Sequence, residues 1–239
     1  MRPSTLATTV TGDSMRRPSA LFPISLALGA MMLAPGAGAR VPTKIKACQT
    51  IDRPGSYELA NNLSAATGDC LVITADFVTI DLAGFSISSR ALFNGTAILA
   101  TSSQGIAVRN GSISGFEVGV DLRTAAGSIV EGLRVSCCGP DFNGIGIFAH
   151  GVVTGNTVSS GFGGIAATGI VTGNYATGRK VGISVGEGST VIGNTVTDSI
   201  RFGLMVECPS DVINNRSTGN AFNLLLNGKG CNNTNNVAP

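Results

Sequence analysis

The chain has 239 residues, 16 basic and 14 acidic side chains, one histidine, 33 glycines, no tryptophan and 5% aromatic residues. A formal charge of +2 without a basic stripe lacks the electrostatic footprint of a nucleic-acid binder, so nucleic acid is not an expected partner. The length suits one domain with a real core.

From the N-terminus, residues 1–39 read as an export signal. Arg16 and Arg17 precede an apolar stretch over residues 20–34, shorter than the roughly 20 residues of a membrane span, and Ala37-Gly38-Ala39 suits a signal peptidase. Met15 is an alternative start. Cleavage removes Arg2, Arg16, Arg17 and Asp13 and leaves 13 basic and 13 acidic residues, a net charge of zero. No second long apolar run follows, so the mature protein is expected in the periplasm or outside the cell, without membrane insertion.

Residues 40–70 break the pattern that follows and hold Cys48 and Cys70; they read as an N-terminal cap. Residues 71–230 carry a repeat. Its first phrase is Gly-Asn or Asn-Asn at Asn156, Asn174, Asn194 and Asn215, with degenerate forms near Asn110 and Gly132. Its second is Gly followed by Ile, Val or Leu at Gly119, Gly146, Gly164, Gly182 and Gly203, at intervals of 18 to 27 residues. Leucine-rich repeats share such a period, but residues 151–200 contain no leucine. Gly, Asn, Thr, Val and Ile are turn and strand formers, which disfavours helical repeats. Each coil therefore reads as strand, turn, strand, turn, strand: an all-β, single-stranded parallel β-helix of about seven rungs, capped at both ends.

Inward Val, Ile and Leu are expected to stack in columns. The repeated Asn is expected in a tight turn with a left-handed backbone angle, its amide bonding the equivalent Asn one coil away. The repeated Gly before Ile or Leu marks a tight corner. Residues 231–239 are Asn-rich and suit a C-terminal seal that frays after Cys231. Six cysteines in an exported chain point to disulfides, with 15 possible pairings. Cys48 with Cys70 and Cys208 with Cys231 each lie about one repeat apart and would pin the two ends; Cys137 and Cys138 could bond each other or remain thiols. Paired C-x-x-C spacing and a second histidine are missing, so neither a metal site nor a cofactor is expected.

With the lead-in "CQTIDRPGSYELANNLSAATGDCLVITADFVTIDLAGFSIS", the rung "VRNGSISGFEVGVDL" and the later Gly-Asn and Gly-Ile rungs, residues 45–230 resemble the right-handed parallel β-helix proteins of the pectin-lyase-like class, in particular a group of secreted bacterial members without known function. The resemblance implies a right-handed coil, export and an association with polysaccharides, since lyases and hydrolases acting on them use this scaffold. Fold alone does not carry function.

Members that cleave glycosidic bonds use a carboxylate cluster for calcium with an arginine, or an acid pair roughly 5–10 Å apart on neighbouring rungs. Aligned on the Gly-Ile phrase, the outward residue reads Asp121, Phe148, Ala166, Ser184, Met205, Leu225, with one acid in six. Two positions before the Gly the column runs Glu117, Gly144, Phe162, Lys180, Arg201, Ala221, a charged strip without a second carboxylate. On this alignment acids do not fall at equivalent columns of adjacent rungs. The remaining catalytic candidates are Asp121, Arg123, Glu131, Asp141 and His150, with Arg134 nearby; Glu117, Lys180 and Arg201 are the ligand-binding candidates, and the last two, adjacent by rung, could hold an acidic sugar. Their plain alternative is a solvated surface charge. The expected function is non-catalytic binding of an extracellular or cell-wall polysaccharide along a flat strand face. A polysaccharide lyase or hydrolase, and a structural or adhesive surface protein, are the alternatives.

Overall fold

The computed structural model describes residues 41–91, 93–137, 144–178 and 180–239; the expected signal, Cys138 and Asp141 lie outside them. Among the described residues no helix is present, and the strands pair in parallel into a β-solenoid of about eight turns. Each turn contributes a strand to three faces. The first face runs from Thr43–Ile45 and Gly55–Leu59 through Val78–Asp81 to Asn232–Thr234. The second runs from Leu63–Ala65 through Ser86–Ser89 to Arg216–Thr218, and the third from Gln49–Ile51 through Leu71–Ile73 to Phe222–Asn227. Longer strands such as Val118–Cys137 and Gly163–Thr172 continue round a corner from one face to the next.

Valine and isoleucine repeat at the coil period, and their branched side chains suit a pleated surface, so like residues stack into continuous inward columns. One column holds Val120, Ile147, Ile165, Ile183 and Leu204, none more than 2% exposed. Burying each side chain contributes about 1.5–3 kcal/mol, and the column makes that contribution once per coil.

The solenoid starts before residue 71. Strands within residues 40–70, the stretch expected to break the repeat, pair in register with the next coil: Glu58 with Asp81, and Ser64 with Ser88. Their alternation spans only three to five residues, and of the two repeat phrases only an Asn pair, Asn61-Asn62, stands before Leu63–Ala65 with no Gly-Ile phrase beside it, so the repeat is faint there. The C-terminal residues continue the columns too, since Asn232–Thr234 pairs with Asp211–Ile213 and Val237 bridges to Arg216.

The Asn column is inward and buried, with Asn156, Asn174, Asn194 and Asn215 each at most 2% exposed. Asn174 Oδ1 accepts from Asn156 N at 2.9 Å and Nδ2 at 3.0 Å, and Asn194 Oδ1 accepts the same pair from Asn174 at 3.0 Å each. Asn215 and then Asn236 carry the ladder onward. The left-handed angle belongs to the residue before each ladder Asn: Gly155, Gly173 and Gly193 at φ 62–63°, then Asn214 at 55° and Asn235 at 53°. The expectation placed both jobs on one residue; the turn divides them, so that the ladder Asn can point inward.

The Gly of Gly-Ile is required by space and not by backbone angle. A Cβ on Gly164 would lie 2.3 Å from the carbonyl oxygen of Gly182 in the next coil. Two disulfides, Cys48–Cys70 and Cys208–Cys231, join adjacent coils at Cα separations of 4.5 and 5.0 Å, close to the ladder spacing. Cys137 is disulfide-bonded as well.

Candidate functional site

The expected catalytic residues divide among the faces. On the third face, Asp121 pairs in register with Phe148, then Ala166, Ser184, Met205 and Leu225, the column anticipated from the Gly-Ile alignment. Asp121 is held by Arg123 in a fork: Nε donates to Oδ1 at 2.9 Å and to Oδ2 at 3.0 Å, and Nη2 donates to Oδ2 at 2.6 Å. The Arg123 backbone N–H adds a bond at 3.2 Å. Both residues sit two apart on one strand face, so period-2 geometry makes the pair local. The hydrogen bond to Asp121 raises the Arg123 pKa further, against the effect of burial. The guanidinium also lies 4.0 Å from the Phe148 ring centroid, a cation–π contact one coil along.

Arg123, Phe148, His150, Thr168 and Ser184 line an open groove of about 300 Å³ on this face. His150 is exposed, and its carbonyl accepts from Ser128 Oγ at 3.0 Å. The structure thus brings Arg123 and His150 to one groove with Asp121 beside it. Among the described residues that groove contains no carboxylate, and Asp121 beside it is already bonded to arginine. An acid–base pair needs both groups free to exchange protons with a substrate, which this arrangement does not offer. Lys180 and Arg201 do stack by rung, with Phe202 N donating to Lys180 O at 2.9 Å. Their cations lie 4.4 Å from the Phe162 ring and 5.0 Å from the Phe202 ring. Glu117 is exposed, and its backbone N–H donates to Gly95 O at 3.1 Å.

Glu131 faces outward on the first face, apart from Asp121 and His150. Its column reads Lys44, Glu58, Asp81, Arg109, Glu131, one residue per coil. Glu58 and Asp81 are carboxylates on adjacent rungs, which corrects the expectation that no column holds two. The Gly-Ile phrase marks the third face, so columns aligned on it do not include those of the first. Neither acid is free, however. Lys44 pairs with Glu58, and Arg109 Nε donates to Asp81 Oδ2 at 3.0 Å, with Glu131 4.0 Å from Arg109 on its other side. The column pairs its charges along the axis, two cations against three carboxylates, with Glu131 the least tightly held.

The second face has a different character. One outward column reads Ser64, Ser88, Ser114, Ser136, Ser159, Thr177, Thr197 and Thr218, a hydroxyl on every coil. The column beside it reads Ser86, Ser112, Arg134, Thr157, Tyr175, Thr195 and Arg216. Neither holds a carboxylate. Arg134, Ser112 and Thr157, with the side-chain-free turn at Gly132 and Gly155, line a groove of about 360 Å³ at the corner with the first face. The backbone ladder fixes these hydroxyls about 4.8 Å apart along the axis and about 6.6 Å apart across each strand.

No protein-family model matches the chain, and no curated protein matches it. Among solved structures it is similar to the Dettilon tailspike protein (gp208), at 13% sequence identity and a TM-score of 0.40. The match covers 82% of this chain and 60% of that one, so the chain spans less than two thirds of its neighbour's length.

The hydroxyl columns were not singled out from the sequence. Their signal was present as Ser-Ile-Ser at residues 86–88 and 112–114, Thr-Val-Ser at 157–159 and Thr-Val-Thr at 195–197, recurring at the coil period. The residues are uncharged, and each triplet alone reads as an ordinary half-buried strand.

Proposed function

We propose that this is an exported β-helix protein of the pectin-lyase-like class that binds an extracellular or cell-wall polysaccharide along a flat strand face without cleaving it. The observation that carries the reading is the second face, with a hydroxyl on every coil of one column and no carboxylate in either. Most of these hydroxyls have no protein partner among the described residues; the exceptions include Ser64, which accepts from Arg90, and Thr197, which contacts Tyr175. Fixed, outward hydroxyls repeating along an axis match a polymer that itself repeats hydroxyls along an axis, and the rigid ladder holds them in place before the ligand arrives. The two disulfides fit an oxidising compartment, where such polymers lie.

Affinity electrophoresis of the oxidised protein through gels containing neutral and acidic polysaccharides, each track then stained for polymer, tests this. Retardation without clearing is the expected result. Clearing of polymer would replace the reading with an enzyme and direct attention to the groove shared by Arg123 and His150. Free migration in every gel would leave a structural or adhesive role.

A further inference from the structure

We infer that the second face takes an extended anionic polysaccharide laid along the solenoid axis, with Arg134 and Arg216 meeting its charges and Tyr175 stacking a sugar ring between them. This rests on the polysaccharide reading and names the ligand class.

Arg134, Thr157, Tyr175, Thr195 and Arg216 are consecutive in one outward column. A long side chain therefore rises from every second coil, at steps of roughly 10 Å, with the two arginines about 19 Å apart. That step is of the order of the two-sugar repeat of an extended glycan. The coils between present only Thr157 and Thr195, which leave room for the chain to lie close to the sheet.

Charge on this face is uncompensated. Arg109 and Arg123 are held by Asp81 and Asp121, whereas Arg134 and Arg216 make no ion pair among the described residues and are exposed. A planar guanidinium fork recognises carboxylate or sulfate oxygens in pairs. Tyr175 is 42% exposed, and its hydroxyl lies 3.1 Å from Thr197 Oγ1, in the neighbouring column and one coil on. The phenol ring is thereby tied diagonally across the sheet, with its face available for the C–H face of a sugar. Arg134 stands at the corner groove, where glycines in the turn give the polymer a trough. A nucleic acid would bring a phosphate at each nucleotide against only two cations, a poor match in charge density.

The test runs the full oxidised chain through gels holding hyaluronan, which carries a carboxylate on alternate sugars, polygalacturonate, which carries one on every sugar, or neutral hydroxyethyl cellulose; poly(dT) is titrated separately. Hyaluronan should retard the protein most, in a salt-sensitive way. Arg134→Ser with Arg216→Thr, which place the column's own residue types at both posts, should weaken that retardation roughly tenfold or more at an unchanged melting temperature. Arg134→Lys with Arg216→Lys should retain part of it, and Tyr175→Thr should weaken binding while keeping the salt dependence. Retardation of the double variant equal to wild type, or tighter binding of poly(dT), would overturn the inference. Retardation by the neutral polymer alone would overturn it and leave the polysaccharide reading standing; free passage through all three gels would sink both.

Discussion

Asn194 illustrates how one side chain can serve three coils. Its Nδ2 donates to Val171 O at 2.8 Å in the preceding coil and to Asn215 Oδ1 at 2.9 Å in the next, and its Oδ1 accepts from both nitrogens of Asn174. Truncation strands several buried donors and acceptors at once, each costing about 1–3 kcal/mol. Asn194→Ala is accordingly expected to lose on the order of 3 kcal/mol in urea denaturation while its retardation in a binding gel, measured under native conditions, stays at the wild-type value; loss of binding at unchanged stability would move the ladder into the ligand site. The neighbouring position obeys another rule. Gly193 needs a left-handed angle and has open space where a Cβ would go, and Asn214 occupies the equivalent place one coil on. Gly193→Asn should be close to neutral in a thermal melt, whereas Gly193→Val should destabilise by more than about 1 kcal/mol, because a β-branched residue tolerates that angle poorly.

At the level of a strand, packing distance sets the limits. A Cβ on Gly164 would collide with backbone, which cannot step aside as a flexible side chain can, so Gly164→Ala should cost more than the few tenths of a kcal/mol common at surface strand positions. Circular dichroism melts of Gly164→Ala and Ser184→Ala, an outward position on the adjacent strand, separate the two effects. Ile183 is fully buried in the middle of a column, and Ile183→Asp should prevent folding, since an unpaired buried charge costs several kcal/mol; a melt close to wild type would refute the register. Strand identity, the inward column and the coil period were legible because Gly-Asn and Gly-Ile recur beside Val and Ile from residue 107 onward. The early coils were not, since Thr43–Ile45 and Leu63–Ala65 are three-residue strands whose one Asn pair, Asn61-Asn62, stands without a Gly-Ile phrase to set the period. The candidate site was legible only in part. Register reaches across coils, so the Asp81–Arg109–Glu131 column emerges only when strands separated by more than twenty residues are laid side by side.

Across the whole solenoid each coil touches only its neighbours, so stability is close to a sum of coil and interface contributions. The Cys208–Cys231 disulfide closes a sequence separation of 23 residues around the last coils and should contribute about 3 kcal/mol. Cys208→Ser with Cys231→Ser is expected to accelerate amide hydrogen exchange in Phe222–Asn227 and Asn232–Thr234 while leaving Gly163–Thr172 protected; uniform acceleration would show one cooperative unit instead. The same nearest-neighbour construction has a mechanical side. The ladder bonds of backbone and Asn carboxamides run from one coil to the next. Tension applied lengthwise loads the coil interfaces in series, and the solenoid yields at its weakest interface. Force applied across the faces is shared by every coil that the grip touches. A protein that holds a polymer at posts several coils apart therefore spreads drag over its length, while a pull at one end finds a single seam.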